Sequence, residues 1–294
     1  MKSMLALIIL RLIALLPLCM ARSIGRGIGA AMCSMQVKPY KIAKLNLALC
    51  YPHQSQLQIE KLAKKRMMHL AQTLFETPRL WCQSADWLDK KIVAVEGANY
   101  LRQALDDDRG TILLIPHLGN WEVIGLWVAK QTAMTSLYQP PKLTNLDEWI
   151  KSSRQKTGAN LVPTNVRGVA ALLKALVKGE TVAILPDQQP APNSGEFATL
   201  FGVQALTMTL THNLLNRTSS QVLFCCALRE PGGWRLHFVP ANQAIYSNDQ
   251  KASLRAMNAG VETMVAMAPE QYQWEYKRFR AQPEGSVNIY SAGI

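Results

Sequence analysis

The sequence is short of acid. Twenty Asp and Glu stand against 32 Lys and Arg in 294 residues, which leaves a formal net charge of +12. A surface so basic favours nucleic acid, anionic lipid or an acidic protein as partner. Charge of either sign is scarce, at 18% against 49% apolar residues, so the chain has ample material for a core. The six cysteines include no C-x-x-C pair and no regular spacing. That excludes a disulfide framework and a cysteine-type zinc site, and points to a reducing compartment. Adjacent Cys225 and Cys226 read as buried free thiols. No Gly-x-Ser-x-Gly elbow is present, and neither repeats nor low-complexity segments occur. His53, His69, His212 and His237 lack ligand spacing, and Asp106 to Asp108 read as a solvated helix end, so no metal and no cofactor is expected.

Long apolar runs are also missing, with one exception. "MLALIILRLIALLPLCM" (4 to 20) is interrupted only by Arg11 and Pro17. As one helix it would reach about 25 Å, the lower limit for crossing a bilayer core. Lys2 and Cys-Met-Ala at 19 to 21 permit a cleaved signal, but Arg11 breaks its apolar centre. Arg22, Arg26, Lys38, Lys41 and Lys44 follow, and such cations hold what comes next on the cytoplasmic side. The expectation is an uncleaved membrane anchor over 1–22, spanning or half-inserted, before a single domain over 23–294. A core helix of a soluble protein is the alternative. "IGRGIGAAM" has G-x-G-x-G spacing after a helical run, so it is not read as a dinucleotide loop. A helix over 56–75 presents Lys61, Lys64, Lys65 and Arg66, as a solvated or a lipid-facing side.

Then the period changes. "GTILLIP" (110 to 116), "MTSLYQ" (134 to 139), "TVAILP" (181 to 186), "SQVLFCCALR" (220 to 229) and "WRLHFVP" (234 to 240) read as strands. Helical stretches at 121–131, 145–157, 167–178 and 207–217 alternate with them, and a helical tail covers 249–269. This alternation predicts an α/β domain, a central mainly parallel sheet flanked by helices. The Pro- and Gly-rich stretch 187–202 reads as a long loop, functional or mobile.

"IPHLGNWE" (115 to 122) lies at a strand-to-helix seam, where α/β sheets form their sites. Gly119 allows the bend, Asn120 suits an N-cap, and Glu122 falls in the first helical turn. The turn permits His117 and Glu122 to meet. Spacing alone leaves two readings: a general base aligned by a carboxylate, or a capping carboxylate beside an incidental histidine. With no adjacent nucleophile, the catalytic reading implies direct transfer from a substrate hydroxyl.

"HLGNWE" resembles the H-x4-D/E motif of the bacterial lipid A late acyltransferases, the lauroyl and myristoyl transferases of the lysophospholipid acyltransferase superfamily. The resemblance spans most of the chain. "VEGANYLRQALDDDRGTILLIPHLGNWE" is similar to the approach to that motif. "YQPPKLTNLDEWIKSSRQKTGANLVP" is similar to a second block through Tyr138, Pro140, Arg154 and Gly158. "LPDQQP…FATLFGVQALTMT" matches a third through Asp187, Gln188, Phe201, Gly202 and Thr207, and "PEQYQWEYKRFR" resembles the family's tail. Gln139 departs from the usual Tyr-Arg-Pro triplet.

The resemblance implies a membrane-associated O-acyltransferase. It would carry a fatty acyl chain from acyl-acyl carrier protein to a hydroxyl of an anionic glycolipid, a lipid A precursor, at the cytoplasmic face of the bacterial inner membrane. It makes His117 the base, Glu122 its orienting partner, Arg154 a charge-stabilising or substrate-positioning group, and Asp187 a supporting or acceptor-binding group. Backbone amides near Gly119 and Asn120 are the expected oxyanion donors. Met208, Leu210, Leu214 and Leu215 are expected on one helix, lining an acyl groove or simply packing the core. "QYQWEYKRFR" (271 to 280) suits base stacking, interfacial anchoring or packing, with no nucleic acid expected. The other readings are an acyltransferase for another glycolipid or lysophospholipid, using acyl-CoA or the carrier protein, and a non-catalytic basic membrane tether.

Overall fold

Pro17 cuts the N-terminal apolar run in two. The computed structural model, which describes residues 2–141, 146–286 and 289–290, has α1 at Lys2–Leu15 and α2 at Leu18–Ser34. Proline fixes φ and lacks an N–H, so it tolerates a helix start but not a helix interior; here it precedes α2 as the N-cap. The 14 residues of α1 reach about 21 Å, short of the roughly 30 Å hydrocarbon core. Among the described residues no helix is long and apolar enough to cross a membrane. The spanning anchor expected from the sequence is thereby corrected, and α2 runs straight through residue 22.

Helices α3 (Lys38–Cys50) and α4 (Gln56–Cys82) complete this N-terminal layer. A capping box starts α4: the Ser55 hydroxyl accepts the Gln58 N–H, and the Gln58 side chain accepts the Ser55 N–H. The G-x-G-x-G run belongs to the α2–α4 crossing. A Cβ on Gly25 or Gly29 would come within 2.8 or 2.4 Å of α4 backbone, so glycine is what lets the helices touch. On α4, Lys61, Lys64 and Lys65 are exposed, but Arg66 is buried and forks onto Glu275 at 2.7 and 2.8 Å.

The domain behind is α/β. After α5 (Ala85–Asp89) come β1 (Ile92–Glu96), α6 (Ala98–Leu105), β2 (Thr111–Leu114), α7 (Trp121–Val128) and β3 (Met134–Tyr138). Then follow α8 (Asp147–Gln155), β4 (Asn160–Pro163), α9 (Val166–Val177) and β5 (Thr181–Ile184). The helix expected over 145–157 has its first residue outside the described ones. Strands β8 (Gln221–Glu230) and β9 (Gly233–Pro240) form a hairpin, and α11 (Gln250–Met267) closes the order. Seven strands form one sheet in the order β1-β9-β8-β2-β5-β3-β4. From β8 to β4 all run parallel, while β9 and its parallel neighbour β1 run the other way. The mainly parallel sheet stands as expected.

One region differs from the sequence reading. Half of the expected loop and the first two residues of the helix expected over 207–217 are a hairpin, β6 (Gly195–Leu200) paired with β7 (Val203–Met208). Its two turn residues, Phe201 and Gly202, both have positive φ, 49° and 76°, the backbone that matches strand twist in a two-residue turn. Helix α10 shrinks to Leu210–Leu215.

Alternation along the strands divides the core. Ile112, Leu114, Val182 and Ile184 face α9 and α11, whereas Leu113, Ile115 and Ala183 face α6 and α7. Leu7 and Leu10 of α1 join a third, smaller cluster around Tyr138, Leu146 and Ile150, while the first helix lies mainly along α4.

Candidate active site

Strands β2 and β5 are adjacent, parallel and paired Leu114↔Ile184. Each ends in the same way, as Ile115-Pro116-His117 and Leu185-Pro186-Asp187. Equal register carries the two polar residues off the sheet edge side by side. Asp187 Oδ1 lies 2.8 Å from His117 Nδ1, and Oδ2 accepts the His117 backbone N–H at 2.8 Å. A carboxylate can only accept, so Nδ1 carries a hydrogen whether or not the ring is charged, and in the neutral ring Nε2 keeps the lone pair. The carboxamide nitrogen of Gln188 stands 3.1 Å from Nε2 and 3.1 Å from Gln273 Oε1. The Trp121 ring meets the imidazole edge-on at 4.8 Å. Burial alone would raise the Asp187 carboxyl, but the His117 charge and two His117 hydrogen bonds outweigh it and hold it below the usual range.

The turn after His117 is fastened to backbone. Gly119 N–H donates to Gln271 O at 3.1 Å, Asn120 N–H to Ala227 O at 3.0 Å, and Gln273 N–H to His117 O at 3.1 Å. Gly119 has φ +65°, and a Cβ there would sit 2.0 Å from Ala227 O. Both amides expected as oxyanion donors are thus bonded to backbone carbonyls. Asn120 occupies the N-cap position of α7 without a side-chain cap bond. It is fully buried, its Nδ2 points to Glu76 Oε2 at 3.4 Å, and it is not among the residues that line the cavity over the strand ends.

Glu122 also departs from expectation. It stands in the first turn of α7, yet it makes no hydrogen bond to the imidazole. Arg154 of α8 holds its carboxylate at two points, one of them Nε to Oε2 at 3.0 Å, and Trp81 Nε1 donates to Oε2 at 3.2 Å. Helix α7 leads away from the strand end, so its second residue meets α4 and α8 instead of the strand tips.

Over the ends of β2, β5, β3 and β4 lies a cavity of about 1290 Å³. His117, Glu122, Gln139 and Arg154 supply polar wall; Leu126, Leu173 and Leu214 are among its apolar residues. Met208 and Leu210 line it too, but Met208 ends β7 and Leu215 packs against the core.

The family model described as bacterial lipid A biosynthesis acyltransferase matches residues 2–281. The chain belongs to that family. A lipid A biosynthesis palmitoleoyltransferase of Escherichia coli (strain K12) is 28% identical over 91% of this chain and 87% of its own. The lauroyltransferase of the same strain is 28% identical over 96% and 92%, and its myristoyltransferase 22% identical over 84% and 77%. This lipid A acyltransferase is therefore an enzyme, which sets aside the non-catalytic tether.

Two parts of the acyltransferase site escaped the sequence reading. The tail at 271–280 folds inward: Gln271 and Gln273 hold the His117 turn, and Trp274, Arg278 and Phe279 are buried. Behind Asp187, burial pushes the Tyr272 hydroxyl well above its ordinary value and the Asp187 charge adds to this. Beneath Asn120, Glu76 is fully buried between two arginines. Arg229 reaches its oxygens at 2.7 Å each, and Arg22 bonds it while donating to Glu230 O at 2.6 Å and Gly233 O at 2.8 Å. Arg229 also stands 2.7 Å from His69 Nδ1, and burial together with nearby arginines pushes that imidazole down to about 3. His69 is thus a neutral acceptor. Burial alone would raise Glu76, but Arg229 and Arg22 hold it below the carboxylate range.

Proposed function

We propose that this acyltransferase moves a fatty acyl chain from acyl-acyl carrier protein to a hydroxyl of a lipid A precursor, with His117 as general base and no acyl-enzyme. The observation that carries the reading is the His117–Asp187 pair in the wall of a cavity with apolar lining, with Gln188 instead of Ser or Cys against Nε2. The acceptor hydroxyl gives its proton to Nε2 while its oxygen attacks the thioester carbonyl. The C–S bond then breaks, and the leaving thiolate takes the proton from the imidazolium. Asp187 fixes the tautomer and stabilises the charged ring, as an aspartate behind a catalytic histidine does. Arg154, held by Glu122, offers its remaining donors to an anionic group of the acceptor. Exposed Arg167, Lys174 and Arg217 make no ion pair within the described residues, and Arg217 lines the cavity. Their charge suits an acidic carrier protein.

His117→Ala is expected to lower transfer by about 10²–10⁴-fold, read by product mass spectrometry with purified donor and acceptor. Parental transfer by that variant would sink the base assignment. The rival reading, acyl-CoA as donor or another glycolipid or lysophospholipid as acceptor, is separated by exchanging each substrate in the same assay.

The reading includes a membrane surface, at the cytoplasmic face of the bacterial inner membrane. Met4, Ile8, Leu12 and Leu15 on α1, and Met20, Ile24 and Ile28 on α2, are exposed at helical spacing, with exposed Arg11 and Arg26 among them. Such stripes lie in the interface plane and sink about 5–10 Å into it. Leu12→Glu with Ile24→Glu is expected to weaken binding to anionic vesicles at least tenfold in sedimentation, roughly 1.4 kcal/mol. Unchanged binding would remove these helices from the contact.

A further inference from the structure

Gln188 has a position that proton transfer through His117 does not explain. Its amide nitrogen lies 3.1 Å from the very lone pair that must receive the substrate proton. Any oxygen giving a proton to Nε2 therefore arrives in contact with this amide. Its orientation is fixed as well. Gln273 Oε1 accepts one amide hydrogen at 3.1 Å, and Gln273 is tied to the site through its backbone N–H on His117 O. The second hydrogen is then aimed at the imidazole, because the flipped amide would set an oxygen against the Nε2 lone pair.

The backbone donors of the His117 turn are committed elsewhere. His117 N–H goes to Asp187, Gly119 N–H to Gln271 and Asn120 N–H to Ala227, while Arg154 binds Glu122 through two nitrogens and keeps its remaining donors for the acceptor's anionic group. The attack nonetheless creates an oxyanion, and unbalanced negative charge there is costly in a site removed from water.

We propose that Gln188 is a catalytic residue of the acyl transfer. Its amide caps the His117 lone pair until the acceptor hydroxyl displaces it, and then donates to the thioester carbonyl oxygen as that oxygen becomes negative. Gln188 gives up no proton. The acceptor's proton still passes to Nε2 and on to the leaving thiolate, and the amide hydrogen changes only its acceptor. This rests on His117 being the base.

The test is steady-state transfer from acyl-carrier thioester to a lipid A precursor across pH, with purified Gln188→Met and Gln188→Glu beside His117→Ala. Gln188→Met is expected to lower kcat about 10²–10³-fold, the range for one oxyanion donor, with both KM values little changed. The acidic limb of its kcat/KM profile moves to higher pH, since the lost hydrogen favoured the neutral ring. Asp187 against Nδ1, Tyr272 and Arg278 behind it, and Glu122 and Arg154 in the cavity wall are the other charged or titratable groups around the ring, and all are kept. Gln188→Glu keeps the side-chain shape, is expected to lose at least as much, and shifts the limb further by favouring the imidazolium. It tests the same role if Gln188→Met does not fold. Parental kcat in Gln188→Met, or a loss of kcat with an unmoved acidic limb, overturns the proposal. If His117→Ala itself transfers at the parental rate, the base assignment falls; loss in His117→Ala with parental Gln188→Met removes only the role of Gln188.

Discussion

Asp187→Asn is expected to lower kcat by about 10²–10⁴-fold, comparable to loss of the base. An amide at this position can donate to Nδ1, which favours the wrong tautomer and puts the hydrogen on Nε2. The variant should fold, because the replacement is isosteric and one oxygen can still accept the His117 N–H. Glu122→Gln should behave differently. Its carboxylate is bound by Arg154 and Trp81, so its effect should travel through Arg154. Glu122→Gln and Arg154→Met are then expected to share one phenotype, with a raised acceptor KM, and the double variant should be no worse than either. Steady-state kinetics on the four proteins separate these outcomes. Additive losses from Glu122→Gln and Arg154→Met would break the link between them, and parental kcat in Asp187→Asn would return the imidazole to another partner.

Glu76→Leu is expected to destabilise the fold severely, by about 3–5 kcal/mol. It strands two arginines at a fully buried position, and breaking one side of a buried pair costs far more than a surface pair is worth. Denaturant unfolding would measure it, with Glu96→Gln as the comparison. Glu96 is a half-exposed partner of Arg235, and its loss should stay within about 1 kcal/mol. The same carboxyl sets an acid limit. Glu76 and Asp187 are both held below their ordinary values, so their stabilisation is complete above the unfolded carboxylate range, near pH ~4. It is lost as pH falls through their folded values. A Glu76→Leu protein that unfolds at the parental midpoint would contradict this account.

The strands bearing the site were legible because β2, β5 and β8 are short apolar runs bounded by Pro, Gly or polar residues. His117 was legible for the same reason, as a lone imidazole beyond such a run. Its partner was not, because a five-residue spacing drew attention to Glu122 while the true neighbour lies 70 positions on. A usable signal existed: two strands ending in apolar-Pro-polar, Ile115-Pro116-His117 and Leu185-Pro186-Asp187, need only pair in register to bring His and Asp together. Strand order is a tertiary fact that no local pattern encodes. The hairpin at 195–208 was hidden by Phe201, which adopts positive φ beside Gly202 where Asn-Gly would have announced the turn. Glu76 and Arg229 look like ordinary surface charges in sequence, because burial of a charge is decided by what packs over it.

Helices α2 and α4 touch backbone to backbone at Gly25 and Gly29, and Arg22 is bolted to Glu76 and thence to Asn120 beside His117. The exposed apolar stripe of α2 and the His117 imidazole are therefore parts of one stiff frame. On the surface-bound reading, the ring is then set at a constant elevation above the headgroups. Selection among acceptor hydroxyls becomes a matter of depth: an alcohol seated higher or lower in the leaflet misses the ring even when it fits the cavity.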